Sequence, residues 1–329
     1  MKALVVGGAG YIGSHMVRML LDEGHEPITL DSLVTGHRDA VPGGEFIHAD
    51  LADAAVLANT FARHRIDAVM HFASFIEVGE SVKKPERYYR NNFSNTLNLL
   101  DAMVQARVLR FIFSSTAAIF GEPRYLPIDE RHPRDPINPY GASKLMVERA
   151  LDDYDRAHAL KAVCLRYFNT AGAQPDGSMG ERHDPESHLI PLLLQAASGR
   201  RESARVFGRD YDTPDGTCVR DYIHIVDLCR AHLLALRWLM DGGGSCAFNL
   251  GNGNGFSVLE VIASVERVTQ RKLALVDAPR REGDPARLVA DSRLIREKLG
   301  WAPQYADLDT IVGHSWRWEL KQTRHTRSG

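Results

Sequence analysis

Tyr140 and Lys144 stand four residues apart in the stretch Tyr140-Gly141-Ala142-Ser143-Lys144, so a helix through them carries both side chains on one face. Pro139 suits the turn into such a helix. Upstream, Ser114-Ser115-Thr116 closes a short apolar run, Arg110–Phe113, that reads as a strand. Brought together, these residues can act as a tyrosine general base, a lysine that stabilises its phenolate, and a hydroxyl that binds the same substrate oxygen. A tyrosine and lysine at this spacing are also an ordinary feature of helix surfaces, so their meaning depends on the elements that position them.

The first thirty-one residues supply that context. Lys2–Val6 has the length and composition of a buried parallel strand. Gly7-Gly8-Ala9-Gly10-Tyr11-Ile12-Gly13 follows directly, and Ile12, Met16, Met19 and Leu20 recur at helical spacing before Gly24. Pro27–Leu30 reads as a second strand with Asp31 at its carboxyl end. Gly7 permits a tight turn, Gly10 lets a pyrophosphate approach the backbone, and Gly13 lets the helix pack close to the strand. The helix amino terminus offers N–H groups to the phosphates. Asp31, eighteen positions after Gly13, is placed to accept both ribose hydroxyls of an adenosine and to repel a 2′-phosphate, which favours NAD over NADP. A phenol has a pKa of about 10, so poising it near 7 takes roughly 4 kcal/mol. The Lys144 ammonium and the nicotinamide ring of NAD⁺ are the two charges that can supply it.

Alternation continues through Glu45–His48, Ala54–Arg63, Ala68–Phe72, Asn91–Ala106, Arg110–Phe113, Tyr140–Ala157 and Ala162–Phe168, which implies a doubly wound parallel sheet of Rossmann type. After Asn169 turn-rich segments separate shorter elements, as in a smaller α/β substrate-binding domain over the sheet's carboxyl edge. The expected division is 1–168 for the NAD-binding domain, with 221–241 returning to it, and 169–329 for the second, mainly 169–220 and 242–321. A net charge of −2 over 329 residues gives no footprint for nucleic acid or an anionic membrane. No run reaches the length of a membrane span, and the first residues read as a strand rather than a signal peptide. Cys164, Cys218, Cys229 and Cys246 are dispersed, as expected of free thiols in a reducing cytoplasm.

With these residues in place, the chain resembles the extended short-chain dehydrogenase/reductases and, within them, the UDP-glucose 4-epimerase family. The resemblance is carried by GGAGYIGSH at Gly7–His15, D-S-L-x-T-G-H at Asp31–His37, HFA…VGESV at His71–Val82 and Asn91–Asn92. Ser114–Pro123, PYGASKLMVE at Pro139–Glu148, RYFN at Arg166–Asn169, SHLIP at Ser187–Pro191, Asp215–Ile225 and REGDP at Arg281–Pro285 extend it over nearly the whole chain. It implies Tyr140, Lys144 and Thr116 as the catalytic set. It implies an NAD site made by Gly7, Gly10, Tyr11, Ile12, Gly13 and Asp31, with Asp50 and Leu51 bordering the adenine. Phe72, Ala73, Asn91, Ser114, Tyr140, Lys144 and Tyr167 complete that site. Thr116, Asn169, His188, Leu189, Phe207, Arg220, Arg281 and Asp284 are implied to contact a UDP-hexose, the two arginines clamping its diphosphate. The implied reaction takes hydride from C4 to NAD⁺, lets the 4-keto sugar turn over, and returns hydride to the opposite face. A cytoplasmic homodimer, with helices 91–106 and 140–157 at its interface, is the family expectation.

Three departures qualify the resemblance. Ala117 and Ala118 follow Thr116 where dehydratases on this scaffold carry an acid, which favours epimerisation. Ile76 stands where some relatives have a lysine near the cofactor. Leu288 falls at the gate for the sugar 2-substituent and is intermediate in size, leaving activity on N-acetylated UDP-hexosamines open. His183, Asp184, Glu186 and His188 include good metal ligands, but their turn-rich setting points instead to a loop with one substrate-contacting histidine and no metal. The alternatives are another NAD-dependent nucleotide-sugar oxidoreductase or dehydratase, and a non-catalytic NAD-binding sensor.

Overall fold

A computed structural model describes residues 1–281 and 284–327. Its largest sheet contains β1 (Lys2–Val6), β2 (Glu26–Asp31), β3 (Glu45–His48), β4 (Ala68–His71), β5 (Arg110–Thr116) and β6 (Lys161–Tyr167). A later strand, Cys246–Leu250, completes it. The order is Cys246–Leu250, β6, β5, β4, β1, β2, β3, with all pairings parallel. The chain therefore winds outward from β1 to β3 and then returns to the other side of β1. This creates a switch point between β1 and β4, where open α/β sheets bind their ligands.

Period-two alternation divides the strand side chains between two layers. Ala3, Val5, Met70 and Ile112 pack into one core with Met16, Val17 and Leu20 of α1 (Tyr11–Asp22). Leu4, Val6, Val69, Phe111 and Phe113 pack into the other. That second layer holds Leu57 and Phe61 of α2 (Ala54–Arg63). Gly24, at φ +72°, ends α1 in a left-handed turn: Gly24 N–H donates to the Leu21 carbonyl and His25 N–H to that of Leu20, satisfying two orphan acceptors.

The helix expected over Asn91–Ala106 is broken into pieces. After α3 (Val78–Lys83) and α4 (Pro85–Tyr88), Tyr89–Ser94 is a π-turn, and only then does α5 (Asn95–Gln105) run regularly. Buried Asn92 explains the widened turn. Its amide donates to the Phe75 carbonyl and to Ser143 Oγ, and its Oδ1 accepts from Phe75 N–H, so the helix is fixed to the loop after β4. Ser143 lies on α6 (Pro139–His158), whose Asn138 caps the first turn by accepting from Gly141 N–H.

Beyond β6, β7 (Asn169–Ala171) pairs with β9 (Val219–His224), α7 (Leu189–Ser198) follows β7, and β8 (Ala204–Phe207) lies between α7 and β9. The long helix α8 (Ile225–Met240) packs on α1 in the first core, but β9 does not join the large sheet. Instead β10, the Cys246–Leu250 strand already placed at the sheet edge, returns there beside β6. We propose 1–168 and 225–250 as the cofactor unit, a division that moves 221–224 out and 242–250 in. The remaining elements are β11 (Gly255–Ser257), α9 (Val258–Thr269), β12 (Leu275–Ala278), β13 (Arg287–Leu288), α10 (Arg293–Leu299) and α11 (Leu308–Arg327). With α7, helices α9 and α11 enclose a third core including Leu193, Leu194, Val261, Val265 and Ile311. Residues 322–327 continue α11, while Ser328 and Gly329 lie outside the described residues.

Candidate active site

The glycines after β1 have separate physical reasons. Gly7 adopts φ +79°, and a Cβ there would lie 2.4 Å from the Ala73 nitrogen, so only glycine lets this turn rest on the end of β4. A Cβ on Gly13 would lie 2.0 Å from the Gly7 carbonyl oxygen, because α1 crosses directly over the turn. Gly10 differs: its added Cβ would meet protein only at 3.5 Å, an ordinary contact. Protein packing thus leaves room beside Gly10, where a phosphate would approach. The amino terminus of α1 carries no side-chain cap, so its first-turn N–H groups suit an anion. Asp31 Oδ2 accepts from Ala9 N–H at 2.9 Å and Oδ1 from Leu33 N–H at 2.8 Å, which orients the carboxylate and leaves lone pairs for diol hydroxyls.

Of the other expected cofactor residues, Phe72 and Ala73 meet this turn directly. Leu51 is buried, and Asp50 caps its own turn by accepting from Ala52 N–H. Phe72 N–H and Ala73 N–H both donate to the Val6 carbonyl at the switch point. Asn91 donates to Asn92 Oδ1. Tyr11 donates its hydroxyl to the Gly172 carbonyl, tying the first turn of α1 to the segment after β7, while Ile12 packs on the first core. This donor and acceptor set fits NAD.

Tyr140 comes to Thr116 because α6 begins directly on the turn after β5. A Cβ at Gly141 would lie 2.4 Å from the Ala118 carbonyl oxygen, so glycine is what permits this approach. Thr116 Oγ1 caps the turn by accepting from Ala118 N–H, and its hydroxyl lies beside that of Tyr140. Burial raises the Tyr140 pKa, with the neighbouring Thr116 hydroxyl opposing it. The protein alone therefore does not bring this phenol toward neutrality, which leaves that shift to the positive charge of a bound nicotinamide. Lys144 is 3% exposed and donates to the Ser114 carbonyl at 2.9 Å, with its ammonium 4.8 Å from the centre of the Phe113 ring. Burial lowers its pKa to about 7, against the attraction of Glu148. Ser114 Oγ and the Tyr167 hydroxyl share a hydrogen bond alongside.

Of the expected substrate residues, Arg220 lies on β9, Asn169 on its neighbour β7, and Phe207 on β8 of a separate two-stranded sheet. Arg220 is buried, donates to the Val219 carbonyl and pairs with Asp284. Arg281 stacks its guanidinium 4.2 Å above the Phe207 ring. Glu282 and Gly283, between these partners in the REGDP stretch, lie outside the described residues. Asn169 is in register with Tyr222, and His188 precedes Leu189 at the start of α7. Leu288 is in register with Arg220 and packs on the cluster containing Ala117 and Phe120, near the Thr116 strand end.

Two contributors escape a reading based on motifs. Glu148, one turn beyond Lys144 and 3% exposed, accepts from Ser115 Oγ at 2.6 Å and takes a forked pair of bonds from Arg166 at 2.9 and 2.6 Å. A glutamate on the Lys144 face of a helix with Val147 and Leu151 is the signal that marks it. Glu181 is the other. It joins His183, Glu186 and His188, whose ligand atoms all lie within 4.8 Å of one another, whereas Asp184 is not in this cluster. Burial disfavours the charged rings, yet the two carboxylates raise His183 to about 9 and hold His188 well above its ordinary value.

Comparison with known proteins gives a consistent result. Residues 3–251 match the model of the NAD dependent epimerase/dehydratase family. The chain is 51% identical over 318 residues to a UDP-glucose 4-epimerase of Halalkalibacterium halodurans, covering 97% of this chain and 95% of the relative. It superposes with a TM-score of 0.93 on a Brucella ovis UDP-glucose 4-epimerase solved in complex with NAD, at 48% identity over 96% of this chain and 98% of that one. A Bifidobacterium longum UDP-glucose 4-epimerase solved with NAD⁺ and UDP gives 0.92 at 38% identity, covering 98% and 99%.

Proposed function

The chain belongs to the NAD-dependent epimerase/dehydratase family, and from that premise we infer that it is an isomerase interconverting UDP-galactose and UDP-glucose with bound NAD. The reading rests above all on Tyr140 placed beside the Thr116 hydroxyl, one helical turn before buried Lys144, with alanines at 117 and 118. Tyr140 removes the proton of the sugar 4-hydroxyl, Thr116 holds that oxygen, and the Lys144 ammonium stabilises the phenolate. NAD, when bound, accepts the C4 hydrogen as hydride and returns it. Arg220, steadied by Asp284, and Arg281, stacked on Phe207, hold the diphosphate, while Asn169, His188 and Leu189 contact the UDP portion. Binding energy kept in that portion lets the 4-keto sugar turn without leaving. Tyr140 then returns its proton to the same oxygen.

Incubation with UDP-galactose and no added cofactor is expected to yield UDP-glucose, and Tyr140→Phe to cut the rate by at least about 10²-fold. A 4-keto or dehydrated product, or no isomer even with NAD supplied, overturns the reading. We further place the protein in the cytoplasm, supported by its four free cysteines. Among the described residues no helix is long and apolar enough to cross a membrane. A homodimer is supported by exposed Val78, Val82, Tyr89 and Met146 on α3, the π-turn and α6, and light scattering tests it.

A further inference from the structure

We propose that Glu181, His183, Glu186 and His188 bind one divalent transition-metal ion, with zinc the best chemical match, as a structural clip on the loop between the cofactor turn and the UDP site. Four neighbouring separations carry this. His188 Nδ1 lies 2.9 Å from Glu181 Oε1 and 3.1 Å from Glu186 Oε1, while His183 Nδ1 lies 3.2 Å from Glu181 Oε1 and 3.8 Å from Glu186 Oε2. A tetrahedral zinc with bonds near 2.1 Å needs ligand atoms about 3.4 Å apart, so small side-chain adjustments complete the site.

The surroundings favour an ion over a purely internal network. Both glutamate side chains are only 6% exposed, so their two negative charges need compensation in place. Two protonated rings can supply it, and so can one dication between neutral imidazoles, with the same net charge. His183 Nδ1 is buried and, despite its distance to Glu181, makes no well-aligned hydrogen bond. An orphaned imidazole nitrogen facing two carboxylates is what a metal ligand looks like before the ion enters. Oxygen and imidazole donors without thiolate suit zinc, and four protein ligands leave no open coordination position, as in structural sites.

The outer contacts are also those of a held loop. Ser187 and His188 N–H groups donate to Glu186 Oε1 at 2.8 and 2.9 Å, and Trp318 Nε1 of α11 donates to the Glu181 carbonyl. Arg182 pairs with Asp39, and the His183 ring meets Tyr11 of α1 edge-on with centroids 6.4 Å apart. A clip here fixes His188 relative to the first turn of the cofactor helix.

The test uses the full chain carrying its NAD, stripped with EDTA and titrated with zinc by calorimetry and elemental analysis. The expected result is about one zinc per chain with a Kd below about 1 μM. Glu181→Gln and His183→Ala are each expected to weaken binding at least tenfold, and cobalt to give the visible spectrum of a four-coordinate site. Tyr140→Phe should bind zinc like the parent, which separates this outcome from the fate of the epimerase reading. Zinc uptake by the parent no greater than that of the Glu181→Gln/His183→Ala double variant overturns the proposal and leaves an ion-pair network.

Discussion

Replacing Lys144 by methionine removes an amine held at an energetic cost. Its pKa falls from 10.5 to about 7 on folding, mainly through burial. At about 1.4 kcal/mol for each decade, holding the ammonium charged in the folded state costs roughly 5 kcal/mol. A pKa held below its unfolded value means that the penalty is fully present below pH 7 and fades as pH rises toward 10.5. Between pH 6 and 9 the parent should therefore gain about 2.5 kcal/mol from this group alone, a gain that the Lys144→Met variant lacks. The variant also loses the bond to the Ser114 carbonyl, a loss of roughly 1–3 kcal/mol that is nearly independent of pH and cancels in the comparison. Urea unfolding of both proteins at the two pH values, in the same NAD state, measures the difference. Lys144→Met should be stabilised relative to the parent by about 2.5 kcal/mol more at pH 6 than at pH 9, while its epimerase rate falls at least about 10²-fold. A stability difference that stays flat across this range refutes a buried lysine with a depressed pKa.

The two loop glycines should separate folding from cofactor binding. Gly10→Ala meets no close protein atom, so Tm should hold within about 2 °C while NAD retention is lost; Gly13→Ala drives a methyl into the Gly7 carbonyl and should cost more than about 2 kcal/mol as well, both read by thermal melts and bound-nicotinamide absorbance. Glu148→Gln leaves buried Arg166 uncompensated and removes the attraction that supports the Lys144 charge. It should cost about 3–5 kcal/mol in denaturant unfolding and move the alkaline limb of the rate profile to lower pH. Leu288→Tyr, beside the Thr116 strand end, should leave UDP-galactose turnover within about threefold and depress turnover of UDP-N-acetylglucosamine by at least tenfold, as measured by product chromatography.

Local chemistry made much of this legible. The strand–glycine turn–helix–strand–Asp31 series depends on contacts between residues close in sequence, and the two-layer alternation of Leu4 and Val5 is written into β1 itself. The return of Cys246–Leu250 to the large sheet was not legible, because a five-residue apolar strand carries no mark of its partner. The π-turn at Tyr89–Ser94 depends on Asn92 reaching Phe75 and Ser143, contacts that helical periodicity does not encode. At the candidate site, Tyr140 and Lys144 follow from spacing, but the raised pKa of one and lowered pKa of the other arise from burial, a tertiary property. Glu181 is similar: it acquires interest only when the chain folds His183, Glu186 and His188 around it.

The most direct test of the central claim follows the hydrogen on C4. UDP-galactose deuterated at that carbon is converted by the enzyme carrying only its retained NAD, and the UDP-glucose formed is analysed by mass spectrometry and NMR. If Tyr140 handles only the hydroxyl proton while hydride leaves and returns within one pocket, deuterium stays at C4 and none is exchanged for solvent hydrogen. Loss of the label to water contradicts the account.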